Sequence, residues 1–316
     1  AASFEDFEKA FHRELERRLE ISLDVVRAYE ANMDEFIPAL VHSLSIKSCV
    51  DEGKNAIGNG MKYNLSVILQ AGSGTAVDAL AAVKEIVYER KEMTLSELGQ
   101  VMADDWKGHD ELRLRMRASR RKWGNNEPLT NKLKRDLYRV FGAAVNGKAN
   151  SRGGKFFASG HSIDFFYIMG RHTKATPDGR MKGEEFSKNI SPAPGADREG
   201  PTALVASINA IDTRDIPGDI ILDMMIHPST IQGEKGLMAM KVLIDRYFAA
   251  GGCAMHFNVF SAEELRDAQE HPERYENLQV RMCGWNVRWN DLSKKLQDAY
   301  ILRAEGVLQH RLSAVR

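Results

Sequence analysis

A strand-like pattern near the carboxyl terminus reads Gln279-Val280-Arg281-Met282-Cys283-Gly284-Trp285-Asn286-Val287. Apolar residues alternate with others up to a lone glycine, and an aromatic residue follows the glycine directly. A glycine inside a strand pattern typically marks a bulge or the close approach of another backbone. A bulge is therefore the first interpretation of Gly284, and the rest of the chain tests it.

Composition excludes several classes of protein. The 316 residues include 44 Lys and Arg and 44 Asp and Glu, so the formal net charge is zero and nothing favours nucleic acid or anionic membranes. Three cysteines, Cys49, Cys253 and Cys283, form no disulfide framework and indicate a reducing, cytoplasmic location. No apolar run is long enough to span a bilayer. Ala1-Ala2-Ser3 has neither an initiator Met nor a signal peptide, so we expect a processed chain or part of a longer one.

Helical periodicity dominates the first half of the chain. Ser3 and Asp6 predict an N-terminal cap for a long amphipathic helix over residues 3–32. Thr94-Leu95-Ser96-Glu97 is a capping box for another helix. Further helices are predicted at 34–48, 75–91, 109–123 and 129–145, followed by short strand-like runs at 155–159 and 163–169.

The pattern changes after a polar loop over residues 176–200, which is rich in Gly and Pro and is the best candidate for a domain boundary. Beyond this loop, strands are predicted at 220–226, 255–260 and 278–283, and helices at 235–250, 261–275 and 293–305. Strands that alternate with helices predict an α/β architecture.

Several familiar motifs are absent or incomplete. Gly72-Ser73-Gly74-Thr75-Ala76-Val77 resembles half of a dinucleotide fingerprint, but its third position is Val and no clear strand precedes it. The sequence contains no P-loop, HExxH or CxxC motif, so we expect no protein-bound metal. The basic residues between Arg113 and Lys122 would spread around a helix, which favours a solvated helix over a nucleic-acid surface.

The segment from Phe257 to Asp298 resembles the C-terminal region of the glycyl radical enzymes, the pyruvate formate-lyase superfamily. The resemblance there rests on Phe257-Asn258-Val259, Glu264-Leu265-Arg266-Asp267-Ala268-Gln269, His271-Pro272-Glu273-Arg274-Tyr275, Val280-Arg281-Met282-Cys283-Gly284-Trp285, Leu292-Ser293 and Gln297-Asp298. The preceding loop is similar to the family's at Thr176-Pro177-Asp178-Gly179-Arg180, Ile190-Ser191-Pro192 and Gly200-Pro201-Thr202-Ala203. Cys49-Val50-Asp51-Glu52-Gly53 and Gly60-Met61-Lys62-Tyr63-Asn64 resemble a stretch inside the family's barrel domain.

This resemblance implies an α/β fold: the C-terminal part of the ten-stranded α/β barrel of glycyl radical enzymes over residues 1–181, and the glycine radical domain over residues 188–316. It also implies that Gly284 stores the radical, because the family motif is Arg-Val-x-Gly-aromatic. Glycine suits this role, since a Cα radical shares its spin with the flanking amides and needs a nearly planar centre that a Cβ would crowd. We expect a buried loop in which Arg281, Cys283 and Trp285 shield the radical, helped by Val280, Met282 and Trp289.

The resemblance further implies partners. An activating enzyme that carries a [4Fe-4S] cluster and uses S-adenosylmethionine would install the radical, and the full-length enzyme would be a homodimer. Family members also use a cysteine on a separate loop, which is expected upstream of Ala1. Cys49 is the candidate by position, but its context favours a structural role. We therefore expect the C-terminal portion of a larger anaerobic enzyme, of lyase or transferase type, inactive alone.

The substrate prediction rests on the stretch after Asn64. Many dehydratases and choline lyases have Thr-Gly-Pro-Gln-Gly there, whereas this chain has Leu65-Ser66-Val67-Ile68-Leu69-Gln70. This apolar stretch predicts an apolar or aromatic substrate near Val67, Ile68, Gln70 and Ser162, as for fumarate-adding synthases or arylacetate decarboxylases. Two alternatives stay open: a dehydratase-type lyase acting on a small polyol or amine, and a separate glycyl-radical subunit or repair module without its own active site.

Overall fold

The structure is a computed structural model that describes residues 1–282 and 284–314, with side chains as far as residue 305. Contacts between residues divide the chain into two compact units. The first unit comprises residues 1–69, 137–159 and 214–218, and the second comprises residues 70–136, 160–213 and 219–316.

One long helix and a pair of parallel strands organise the first unit. Helix α1 spans Phe4–Glu30, and the Ser3 side chain accepts the backbone N–H of Asp6, which confirms the predicted cap. The single helix predicted over 34–48 is wrong, because Pro38 has no N–H to donate within a helix. Three short helices form instead: α2 (Met33–Phe36), α3 (Leu40–Leu44) and α4 (Lys47–Glu52).

Strands β1 (Leu65–Ile68) and β2 (Lys155–Ala158) pair in parallel, with Leu65 opposite Lys155. A buried polar cluster anchors β1 to α1. Ser66 donates to the carboxylate of Glu30, and Arg152 Nη2 lies 3.3 Å from Glu30 Oε1. Because successive strand residues point to opposite faces, Val67 lies on the other face of β1, where it is 44% exposed.

Most of the helices belong to the second unit. Thr94 and Glu97 form the predicted capping box at the start of the helix over Leu95–Ala103. The helices are α5 (Ser73–Val83, continued by a π-helical turn over Lys84–Glu89), α6 (Leu95–Ala103), α7 (Asp110–Ala118), α9 (Phe165–His172), α10 (Gly200–Ile208), α11 (Gly233–Ala249), α12 (Ala262–Glu270) and α13 (Lys294–Ala314). Helix α8 (Pro128–Val145) contributes residues to both units.

Helix α9 replaces the strand-like run predicted at 163–169, and that prediction is wrong. A short apolar run does not by itself distinguish a strand from a partly buried helix. The buried residues of α9, Phe166 and Gly170, are four positions apart and so lie on one helical face.

Two strand pairs complete the second unit. Strands β3 (Ile221–Ile226) and β4 (Ala254–Val259) are parallel and are connected by α11, which confirms the α/β pattern expected here. Strands β5 (Gln279–Met282) and β6 (Trp285–Arg288) form an antiparallel hairpin with Met282 opposite Trp285. The tip of this hairpin is therefore residues 283 and 284, of which Cys283 lies outside the described residues.

An apolar core supports the hairpin from the side of α12 and α13. Val280 and Trp289 are fully buried in it, and the rings of Trp289 and Tyr300 meet edge to face at 6.3 Å between centroids. The other buried members of this core are Ala262, Leu265, Ala268, Leu292, Ile301 and Ala304.

Residues 173–199, all of which the structure describes, form neither a helix nor a strand, as expected for the polar loop. The loop is nevertheless packed into the unit. Arg180 is 2% exposed, donates to the carbonyl of Glu184 at 2.6 Å, and lies 4.6 Å over the ring of Phe186. Lys188 and Asn189 are buried further along. This packing brings polar side chains of the loop against strand β3.

Candidate functional site

Gly284 lies at the tip of the β5–β6 hairpin with a φ angle of +98°. This is a left-handed conformation that glycine adopts without strain and that other residues rarely adopt. Among the described residues other than its chain neighbours, the heavy atom nearest to the position of an added Cβ is Cε1 of His256, 4.0 Å away. Backbone conformation, and not crowding, therefore selects glycine at this position.

The side chain of Asn258, on strand β4, clamps the hairpin. Its Nδ2 donates to the carbonyl of Arg281 at 3.0 Å, and its Oδ1 accepts the N–H of Arg281 at 2.8 Å. The hydroxyl of Tyr300 donates to the same carbonyl at 3.0 Å. Strand β5 is therefore fixed three residues before Gly284.

His256 precedes Asn258 by two positions, so both side chains lie on the same face of β4. Its Nδ1 lies 3.2 Å from Oδ1 of Asp223 on the neighbouring strand β3. Lys188 Nζ donates to the same oxygen at 2.9 Å, and Asn189 Nδ2 donates to Oδ2 at 2.5 Å. These contacts make Asp223 the centre of a buried polar group.

Opposing effects set the pKa of Asp223. Burial raises it, but the charge of Lys188 and the hydrogen bonds from His256 and Lys188 outweigh burial and lower the pKa to about 2. Asp223 is therefore a carboxylate at neutral pH and accepts hydrogen bonds only.

Asn189 extends the group toward two residues that the sequence predicts as pocket residues. Its Oδ1 accepts the backbone N–H of Ser162 at 2.9 Å and the Ser162 hydroxyl at 3.1 Å. The backbone carbonyl of Asn189 accepts a hydrogen bond from Nε2 of Gln70 at 3.2 Å. We call Ser162, Lys188, Asn189, Asp223 and His256 the Asp223 network; it runs from Ser162 to the side of Gly284.

The predicted pocket residues are placed as follows. Ser162 is fully buried within the network, and Gln70 is partly buried beside it. Val67 and Ile68 belong to the first unit, where Val67 is exposed and Ile68 is partly buried. The structure thus brings Gln70 and Ser162 together at Asn189. A direct contact of any of the four residues with a substrate stays a prediction.

The residues expected to shield the radical surround the tip only in part. Gly284 is exposed, and Trp285 is 45% exposed. Arg281 is partly buried, and its Nη1 donates to Asn286 at 3.1 Å. Cys283 lies outside the described residues. The buried loop that we expected is therefore not formed by the part of the chain described here, since Val280 and Trp289 pack into the core beneath the hairpin.

Sequence reasoning did not single out Asp223, His256 or Lys188. A signal existed for two of them, because Asp223 and His256 interrupt runs predicted as buried strands. Nothing local predicts that Lys188 would meet them. Cys49 is 2% exposed within α4 of the first unit, and Cys253 is exposed just before β4.

No three His, Cys, Asp or Glu side chains among the described residues are grouped closely enough to hold a metal ion. No described helix combines the length and apolar character needed to cross a membrane.

Two family models match the chain. The pyruvate formate lyase-like model matches residues 1–170, and the glycine radical model matches residues 186–290. The second match includes Gly284 and every residue of the Asp223 network except Ser162.

Similar proteins include both dehydratases and decarboxylases. The trans-4-hydroxy-L-proline dehydratase of Clostridioides difficile is 29% identical over 96% of this chain and 38% of its own length. The indoleacetate decarboxylase of Tractidigestivibacter scatoligenes is 29% identical over 96% of this chain and 37% of its own length. A solved structure concerned with 1,2-propanediol dehydration in Roseburia inulinivorans superposes with a TM-score of 0.89 at 29% identity, covering 96% of this chain and 39% of that one. The chain thus spans less than half the length of each.

Proposed function

Because this chain belongs to the pyruvate formate lyase-like family, we propose that Gly284 stores the radical of a glycyl radical enzyme. One observation carries the proposal: within the residues that match the glycine radical model, Gly284 occupies a hairpin tip at a φ of +98° that a side chain would strain. The clamp from Asn258 supports it, because a radical centre needs a backbone held in one conformation.

The chemistry requires a hydrogen atom to leave Cα of Gly284. The carbon then keeps one hydrogen and one unpaired electron, which the flanking amide nitrogen and carbonyl share. We propose that a radical S-adenosylmethionine activating enzyme with a [4Fe-4S] cluster removes this hydrogen. The exposure of Gly284 supports access by such a partner.

In the second step a cysteine thiol would return a hydrogen atom to Gly284 and become a thiyl radical that attacks the substrate. Cys49 is buried in a helix of the first unit, which supports a structural role for it. We propose that the reacting cysteine, and further cover for Arg281, Cys283 and Trp285, come from a part of the full-length enzyme that this chain does not include. The relatives, of which this chain spans 37–38%, support this.

We propose residues 1–181 as part of the barrel domain and residues 188–316 as the glycine radical domain, a division supported by the two family matches. We also propose a homodimer in the cytoplasm; the small number of cysteines supports that location.

An apolar or aromatic substrate is our first proposal, supported by the exposed Val67 on β1. A small hydroxylated substrate is the alternative, which the similarity to the hydroxyproline dehydratase supports.

Electron paramagnetic resonance on the activated, anaerobic, full-length enzyme tests the role of Gly284. The one hydrogen left on Cα splits the signal of a glycyl radical into a doublet, and glycine deuterated at Cα should collapse that doublet. We expect Gly284→Ala to abolish the signal. Gly195→Ala is the matched control, because Gly195 also has a positive φ (+72°) with no atom within 4 Å of an added Cβ. A doublet that persists in Gly284→Ala would refute the assignment.

A further inference from the structure

We propose that His256 is a positioning residue for the radical centre: its imidazole, fixed by Asp223, forms the wall on one face of Gly284. This inference rests on the proposed role of Gly284. It concerns a different set of residues, which can be changed while the glycine is kept.

The position of the ring is the first argument. Cε1 of His256 lies 4.0 Å from the point where an L side chain would begin on Gly284, and no other heavy atom of the described residues, apart from the chain neighbours of Gly284, is nearer to that point. A planar Cα radical reacts along its half-filled orbital, which projects from the two faces of the N–Cα–C plane. The direction of a side chain from Cα marks one of these faces. The imidazole edge therefore stands beside one face and leaves the opposite face to the group that exchanges hydrogen with Gly284.

The rigidity of the ring is the second argument. The His256 side chain is 11% exposed. Because Asp223 is ionised and can only accept, the hydrogen bond between the two is donated by Nδ1–H of His256. Asp223 is itself held by Lys188 and Asn189, and its backbone N–H donates to the Ser191 hydroxyl at 2.9 Å. The imidazole is thus hydrogen-bonded to a carboxylate that Lys188 and Asn189 hold in place.

One strand, β4, places both the wall and the clamp. His256 and Asn258 lie on the same face of β4. The side chain of Asn258 donates one hydrogen bond to the backbone of Arg281 and accepts another from it. A radical at Gly284 would therefore be held in position by Asn258 and covered on one face by His256.

The test uses the full-length, activated enzyme under anaerobic conditions. Buffer with a fixed concentration of dissolved oxygen is added, and the decay of the doublet is followed in samples frozen at intervals. The variants are His256→Ala, which removes the ring, and His256→Gln, which keeps a polar side chain of similar reach. His271→Ala is the control, because the His271 side chain is 43% exposed at the end of α12, where its Nδ1 lies 3.7 Å from Glu273 Oε1.

We expect radical loss in His256→Ala to be about twofold faster than in the wild type, because oxygen would then reach both faces of Cα instead of one. His256→Gln should be intermediate, and His271→Ala should match the wild type. A changed doublet splitting in His256→Ala would support a direct effect on Cα, which a general loss of stability would not produce.

Two results would overturn the proposal: wild-type decay in folded His256→Ala, or equal acceleration in His271→Ala. If His256→Ala does not fold, His256→Gln decides, and wild-type decay in that variant would then contradict the proposal. The absence of a doublet from the wild type would refute the assignment of Gly284 instead, so the two failures are distinguishable.

Discussion

Replacing Asn258 by alanine should release the hairpin that carries Gly284. The change removes two hydrogen bonds, one to the carbonyl of Arg281 and one from its N–H. The carbonyl keeps the hydroxyl of Tyr300 at 3.0 Å, so only the N–H is left without a partner. Losing the hydrogen bond and leaving the N–H of Arg281 without an acceptor should together lower the local stability of the hairpin by about 2 kcal/mol. This is at the low end of what an unsatisfied buried donor costs, because Arg281 is only partly buried.

Amide hydrogen exchange measures this effect locally. A change of about 2 kcal/mol in the free energy of opening corresponds to exchange that is about 30-fold faster at the amide of Arg281, provided that local opening limits exchange. Peptides covering β5 should show the acceleration, whereas peptides from α1 should not.

The matched control is Asn286→Ala. Asn286 also bonds Arg281, but through exposed side chains at 3.1 Å, so its loss should change local stability by less than about 0.5 kcal/mol. If β5 exchanges at the wild-type rate in Asn258→Ala, or if the two variants behave alike, the Asn258 clamp does not hold the hairpin and our account of the site is wrong.

Two further predictions concern the second unit. Burial raises the pKa of Asp78 from its ordinary value of 3.8 to about 7, so the folded state holds a proton there that the unfolded state loses. The free energy of unfolding should therefore fall by up to about 4 kcal/mol between about pH 4 and pH 7 through this group. Asp78→Asn, which keeps an acceptor for the N–H of Trp123, should remove that fall in denaturant titrations; identical pH slopes would contradict it. Arg180→Lys should lower the free energy of unfolding by about 3 kcal/mol, because one ammonium group cannot reach the carbonyls that the buried guanidinium binds around the loop. A loss below about 1 kcal/mol would show that those contacts contribute little.

Local signals in the sequence predict much of the fold. Ser3 and the Thr94–Glu97 pair cap the helices that they are expected to cap, and the strands at 221–226 and 254–259 form where apolar runs predict them. Pro38 was a local signal for the break in the helix predicted over 34–48. The run at 163–169 was ambiguous, because its length suits either a strand or a helix.

The candidate site was predictable only at its centre. Gly284 is visible because its neighbours in the chain carry the resemblance. The Asp223 network is not, since Lys188, Asp223 and His256 are each more than 30 positions from the next and meet only when β3 and β4 pair beneath the loop. Contacts between residues so far apart in the chain produce no periodic pattern in the sequence.

The Asp223 network contains a buried ion pair, and this bears on what the network does. Lys188 and Asp223 form an ion pair whose side chains are 2% and 4% exposed, between residues of an apolar strand and a packed loop. Removing two charges from water costs so much that apolar residues of similar volume often stabilise a protein equally well or better. The pair is therefore a poor source of stability for the unit. It does provide an ionised carboxylate in a fixed place, and the imidazole of His256 beside Gly284 requires such an acceptor. Positioning of that ring accounts for a buried charge that folding alone does not require.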